Sequence, residues 1–160
     1  MDFEKQDYRT EDEKYMMEAI REAEKAALLD EVPVGAVIVK DGKIIASAHN
    51  RVELDNNSSA HAEMIAIADA EAELGSKWLN GATVYVTLEP CCMCAGSMVL
   101  ARISRLVIGA KDPKSGACGS VVNIVNNKNL NHRIEVTTGV LEEECSRQLT
   151  EFFRQKRDKE

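Results

Sequence analysis

Apolar residues recur along this chain with two different periods. Thr10, with Glu13 three residues on, forms a capping-box pattern. Met16, Ile20, Ala23 and Ala27 follow at helical spacing. Pro33 is expected to stop that helix. GAVIVK (35–40) and KIIASAH (43–49) flank Asp41-Gly42, a strong hairpin signal, and predict two antiparallel strands. SSAHAEMIAIADAEAEL (58–74) is alanine-rich, with serines available as caps. It predicts a helix that begins near His61 and ends at Gly75. TVYVTLE (83–89) is dense in β-branched and aromatic residues, a strand that Pro90 interrupts. CCMCAGSMVLARI follows as a helix and RLVIGA (105–110) as a short buried strand. Residues 111–131 are rich in Gly, Asn and Ser and predict a loop with room for one helical piece. RIEVTTG (133–139) alternates as a weaker strand, and residues 140–157 form a final amphipathic helix.

One hairpin followed by strand–helix alternation implies an α/β fold, with a mixed, mainly parallel sheet covered on both faces. The 160 residues suit a single domain, 1–160, with residues 1–9 expected to be a flexible tail. There is no internal repeat, no linker and no glycine-rich phosphate loop. No apolar run reaches the roughly 18 residues of a membrane span, so no membrane is expected as a partner. The acidic, polar N-terminus is unlike a secretory signal. A cytoplasmic location is therefore expected, with the five cysteines reduced.

Two short motifs carry chemistry. His61-Ala62-Glu63 stands at one predicted helix start, and Pro90-Cys91-Cys92-Met93-Cys94 at the next strand–helix junction. Ligands of α/β sheets gather at the carboxyl ends of strands, so the two motifs can meet there. Cys91 and Cys94 share a helix face, and a helix N-terminus favours the thiolate that a metal needs. One imidazole and two thiolates make a borderline-soft set that suits zinc and leaves a fourth position for water. Glu63 is then a general acid/base rather than a ligand. Residues two apart do not face each other in a regular helix. The arrangement therefore requires His61 to sit at the irregular helix start.

Other readings of the same residues stay open. Cys91 and Cys94 could form a redox pair, which leaves His61 and Glu63 without a task. A closed structural zinc site needs a fourth ligand from Cys92, His49 or His132. Cys118 and Cys145 read as core or surface thiols.

H-x-E followed by P-C-x-x-C matches the known pattern of the zinc nucleobase deaminases. The flanks narrow the match. EVPVGAVIVKDGKIIASAHNR, AHAEMIAI, TVYVTLEPCCMCAGSMVLARISRLVIGAKDPKSGACGS, NHRIEVTTGVLEEE and FFRQKR resemble the bacterial tRNA-specific adenosine deaminases, over about residues 11–157. The resemblance implies a three-layer α/β/α fold of the cytidine deaminase-like type, with a five-stranded mixed sheet whose fourth and fifth strands are parallel. It implies hydrolytic conversion of a wobble adenosine to inosine, with one Zn2+ per subunit on His61, Cys91 and Cys94. Glu63 would shuttle protons. Asn50 would bind the base, helped by the Ala62 backbone N–H, with Val32 and Pro33 in the pocket wall. Asp112 and Lys114 would contact the neighbouring nucleotide, and Phe153 and Arg154 the anticodon stem-loop of the tRNA partner. It also implies a homodimer, for which the apolar run SMVLARI offers a surface; internal core is an equally good reading of that run. Cys92, between the ligands, is a third thiol that could compete for the metal or oxidise. A deaminase of a free base or nucleotide, and a non-catalytic zinc-stabilised binding module, remain the rival readings.

Charge alters this picture only in detail. The net charge of −7 and pI near 5.1 argue against nucleic acid when taken alone. Residues 1–31 carry 11 acidic side chains against 5 basic, whereas residues 100–160 carry 11 basic against 8 acidic. A basic C-terminal third can grip a single-stranded loop locally without a positive whole.

Overall fold

The computed structural model describes residues 10–159; the expectation for residues 1–9 lies outside the described residues. Helix α1 (Glu11–Leu28) starts with the expected capping box. Thr10 Oγ1 accepts from the Glu13 amide at 3.2 Å, and the Glu13 carboxylate accepts from the Thr10 amide at 2.9 Å. Acidic Glu11, Asp12 and Glu13 sit in the first turn, where the helix dipole favours them. The helix ends well before Pro33. The amide of Asp30 bonds to Ala27 O and that of Glu31 to Ala26 O, with Asp30 left-handed at φ 61. This Schellman-type closure satisfies the last carbonyls before the proline is reached.

Strands β1 (Gly35–Lys40) and β2 (Lys43–His49) form the predicted hairpin. Asp41 (φ 52) and Gly42 (φ 74) supply the two left-handed residues that such a turn demands. Three more strands follow: β3 (Thr83–Leu88), β4 (Arg105–Ala110) and β5 (Glu135–Thr138). The sheet order is β2-β1-β3-β4-β5, with β1 antiparallel to both neighbours and β3, β4 and β5 mutually parallel.

The alternation of the strands sorts their side chains into two cores. Ala36, Ile38, Val84, Val86, Leu106 and Ile108 pack beneath α2 (Ala62–Leu74) and α3 (Cys92–Leu100). Val37, Val39, Tyr85 and Val107 pack beneath α1 and α4 (Glu142–Asp158). The result is the three-layer α/β/α arrangement expected. Gly35 permits the close approach of α1, since a Cβ there would lie 2.0 Å from the Ala19 carbonyl oxygen. On the same face, Asp12 ties α1 to the sheet. Its carboxylate takes two Arg105 hydrogen bonds at 2.7 Å each and one from the Tyr85 hydroxyl at 2.9 Å.

Two expectations are corrected. The stretch 111–131 contains no helical piece; it is turns and a single bridge between Cys118 and Asn123. The last helix begins at Glu142 rather than Val140, because Leu141 is left-handed at φ 53. Among the described residues no helix is long and apolar enough to cross a membrane.

Candidate active site

The parallel strand β3 leads through Glu89 and Pro90 into α3, and the chain enters α2 at the same edge of the sheet. His61 and Cys91 are the N-caps of α2 and α3, both in extended conformation (φ −80, ψ 150 and φ −76, ψ 177). Neither side chain is spent on capping. His61 therefore stands outside the regular helix, and this resolves how residues 61 and 63 reach one cavity. Cys94 lies in the first turn of α3 and is buried.

His61 Nδ1 lies 3.7 Å from Cys91 Sγ and 3.5 Å from Cys94 Sγ, and all three ligand atoms fall within 4.8 Å of one another. Tetrahedral bonds near 2.3 Å to sulfur and 2.1 Å to nitrogen place ligand atoms about 3.6 Å apart. The observed nitrogen–sulfur spacing therefore fits a metal ion. Among the described residues no fourth His, Cys, Asp or Glu completes the group. His49 Nδ1 lies 3.0 Å from Asn50 O, His132 Nε2 lies 2.7 Å from Ile103 O, and Cys92 is exposed. All five cysteines are free thiols. Burial, then the charges of Glu63 and Cys91, push the Cys94 thiol up. A bound cation opposes both effects and favours the thiolate.

The ligand group opens onto a cavity of about 530 Å³. Glu63 lines it and is 4% exposed. Burial lifts its carboxyl to about 7, against hydrogen bonds from its own amide and Cys94 that pull it down. A carboxyl poised near neutrality can both take and give a proton.

Other expected residues are placed unevenly. Val32, Asn50, Asp112 and Phe153 line the cavity, whereas Pro33, Lys114 and Arg154 do not. Lys114 and Arg154 are exposed, and Arg154 is paired with Glu151. Ala62 is fully buried, and its N–H donates to Asn50 Oδ1 at 2.9 Å. It thereby orients Asn50, whose Nδ2 finds no acceptor among the described residues. Asp112 Oδ1 accepts from the amides of Lys114 and Ser115, which shapes the turn beside the cavity.

Three further residues at the site were not anticipated. Glu31, 1% exposed, accepts from the amides of Glu53 and Leu54 at 3.1 and 2.6 Å and fixes the 51–57 turn. Glu89 does the same for the segment after β4; burial opposes its ionisation, yet bonds from Ser120 and the amides of Asp112, Cys118 and Ser120 leave it below the usual carboxylate range. Lys156 is the one lysine or arginine lining the cavity among the described residues, held 3.3 Å from Asp30. Acidic residues with distant backbone partners leave no local pattern that a sequence could show.

A tRNA-specific adenosine deaminase of Bacillus subtilis is 54% identical over 150 residues, covering 94% of this chain and 93% of its own length. The chain is a member of the tRNA-specific adenosine deaminase family. A relative of the same name from Haemophilus influenzae is 46% identical, over 92% of this chain and 86% of its own. The model of the MafB19-like deaminases matches residues 10–157 of this deaminase. Among solved structures, one from a study of A-to-I editing by tRNA deaminases at the wobble position of transfer RNA superposes with a TM-score of 0.82 at 45% identity. It covers 85% of this chain and 99% of its own. A guanine deaminase from Nitrosomonas europaea superposes with a TM-score of 0.77 at 25% identity, over 88% and 83% of the two chains. The same fold thus serves more than one purine substrate, and the chain's own site must decide.

Proposed function

We propose that this deaminase hydrolyses the exocyclic C–N bond at C6 of the wobble adenosine in a tRNA anticodon loop, giving inosine and ammonia. The observation that carries the reading is the opening of the His61–Cys91–Cys94 group and Glu63 onto one cavity. These three ligands hold one zinc ion per subunit, and bound zinc supplies Lewis-acid activation of water. Glu63 accepts one proton of the attacking water and delivers it to the neighbouring ring nitrogen. It then carries the remaining proton of the added hydroxyl to the exocyclic amine, which leaves as ammonia as the C6 carbonyl forms. Asn50, fixed through Ala62 N–H, offers its free Nδ2 donors to the base, and Val32 forms part of the wall, with Pro33 restricting the backbone next to it. Phe153, 43% exposed at the rim, offers a stacking face to an unpaired base. Asp112, Lys114 and Arg154 serve the nucleotides alongside.

The protein acts as one domain in the cytoplasm, a reading the five free thiols support. It acts as a homodimer. Leu100 at 78% exposure, with Met93 and Leu130, leaves an apolar face beside α3, while Met98 and Val99 from the same run are core.

The test is inosine formation on an anticodon stem–loop with adenine at the wobble position, run beside free cytosine, guanine and adenosine. Inosine from the stem–loop alone, with Glu63→Ala retaining stoichiometric zinc and falling by at least about 10²-fold, is the expected result. Ammonia from a free base without inosine overturns the substrate, and a near-wild-type Glu63→Ala overturns the mechanism.

A further inference from the structure

The Glu89 carboxylate has no lone pair left for a substrate. Oε1 accepts from the Asp112 amide at 3.0 Å and from Ser120 Oγ at 2.5 Å, while Oε2 accepts from the amides of Cys118 at 2.9 Å and Ser120 at 3.1 Å. An ionised carboxylate offers about four acceptor positions, and all are used. The group is 4% exposed, yet it lies in the cavity wall.

The segment it holds has no regular structure of its own. Beyond the carboxylate it is held by the bond from Ala117 N to Pro90 O at 2.8 Å and by the Ala117 side chain, which is fully buried in the core, while Gly116 N donates to Asp112 O at 2.9 Å within the segment. Gly116 is part of the same fit: a Cβ there would lie 2.4 Å from Glu89 Cδ, so only glycine lets the loop wrap the carboxylate this tightly. The same loop presents Asp112 and Ser115 to the cavity.

We propose that Glu89 is a positioning residue, which locks the 112–120 segment against the cavity and so sets the recognition of the RNA nucleotide next to the reacting adenosine. The inference rests on the functional reading above. Glu89 stands two residues before Cys91, so one turn carries a metal ligand on one side and organises the recognition loop on the other. Its influence on the reaction passes through binding, because all four acceptor positions of the carboxylate are taken by the 112–120 segment.

Glu89→Gln keeps the shape and replaces one oxygen by an NH2 group, which then confronts two donors. Zinc content, steady-state kinetics on the stem–loop, and hydrogen exchange of the 112–120 amides are measured on the zinc-loaded protein. KM is expected to rise about tenfold or more, with kcat changed less than about threefold. Zinc should stay stoichiometric and the Asp112, Cys118 and Ser120 amides should exchange at least about tenfold faster. Ser120→Ala removes one donor of four and should raise KM by a smaller factor with the fold intact. Loss of zinc, a fall in kcat at constant KM, or unchanged exchange overturns the proposal. If the wild-type protein makes no inosine, the functional reading has failed, and with it the recognition role; the exchange comparison then still shows whether Glu89 orders the loop.

Discussion

Asn50 does two things with one carboxamide, and substitution can separate them. Oδ1 accepts the N–H of Ala62, which is fully buried at the start of α2. Nδ2 remains for the base. Asn50→Ala removes the acceptor and leaves a buried donor unmet, at a cost of about 1–3 kcal/mol. For a chain of this length each kcal/mol shifts Tm by about 2–4 °C, so the variant should melt roughly 2–12 °C lower. Asn50→Asp keeps an acceptor for Ala62, and its negative charge sits favourably at a helix N-terminus. Its Tm should therefore stay at or above that of wild type. Yet it has lost the donors, and it adds a carboxylate to a cavity already rich in them. A missing hydrogen bond to the substrate, at about 1.5–3 kcal/mol, lowers kcat/KM by about 10–150-fold. Thermal melting and inosine formation on the same zinc-loaded preparations give both readouts. An Asp variant within twofold of wild-type activity, or an Ala variant with unchanged Tm, refutes the division of labour.

Lys156 lines the cavity and Arg154 does not, so the two should differ in salt dependence. Lys156→Ala should reduce the slope of log affinity against log salt by about 0.7, one single-strand phosphate contact, and Arg154→Ala by less; equal slopes would assign no special place to Lys156. The Asp12–Arg105 pair governs acid stability. Hydrogen bonding from Arg105 holds the Asp12 carboxyl below its ordinary value against the pull of burial. Its contribution is therefore complete above the unfolded pKa near 3.9 and is lost as pH falls through the lower folded value. Asp12→Asn should melt about 3–10 °C below wild type at pH 7, with the gap closing below about pH 4. A gap that stays constant down to pH 2 would show that the pair's charge is immaterial.

Much of this was legible because it is local. The capping box at Thr10 and Glu13, the Asp41-Gly42 turn and the glycine that ends α2 all act within a few residues of themselves. Strand alternation is equally local, and it sorted the two cores. The metal group was legible for a related reason: His61, Cys91 and Cys94 are chemically rare types placed at two strand–helix edges. The late start of the last helix came from left-handed Leu141, a residue type with no preference for that region that a sequence could show. Glu31 and Glu89 were invisible because their partners are backbone amides more than 20 residues away. Lys156 was hidden for the same reason, since only the docking of α4 decides which cation of FFRQKR meets the cavity.

The acidic lining of that cavity has a consequence for what the enzyme must ignore. Asp30, Glu31, Glu53, Glu63, Glu89 and Asp112 all border it. A free mononucleotide carries a phosphate of about −1.5 to −2 at neutral pH, close to its own base. A nucleotide inside a strand carries a single charge on each phosphodiester, and the strand can direct it outward toward Lys156. On this charge balance a free adenine mononucleotide is expected to be a poorer substrate than the same base on a strand, and the difference should shrink as salt screens the carboxylates.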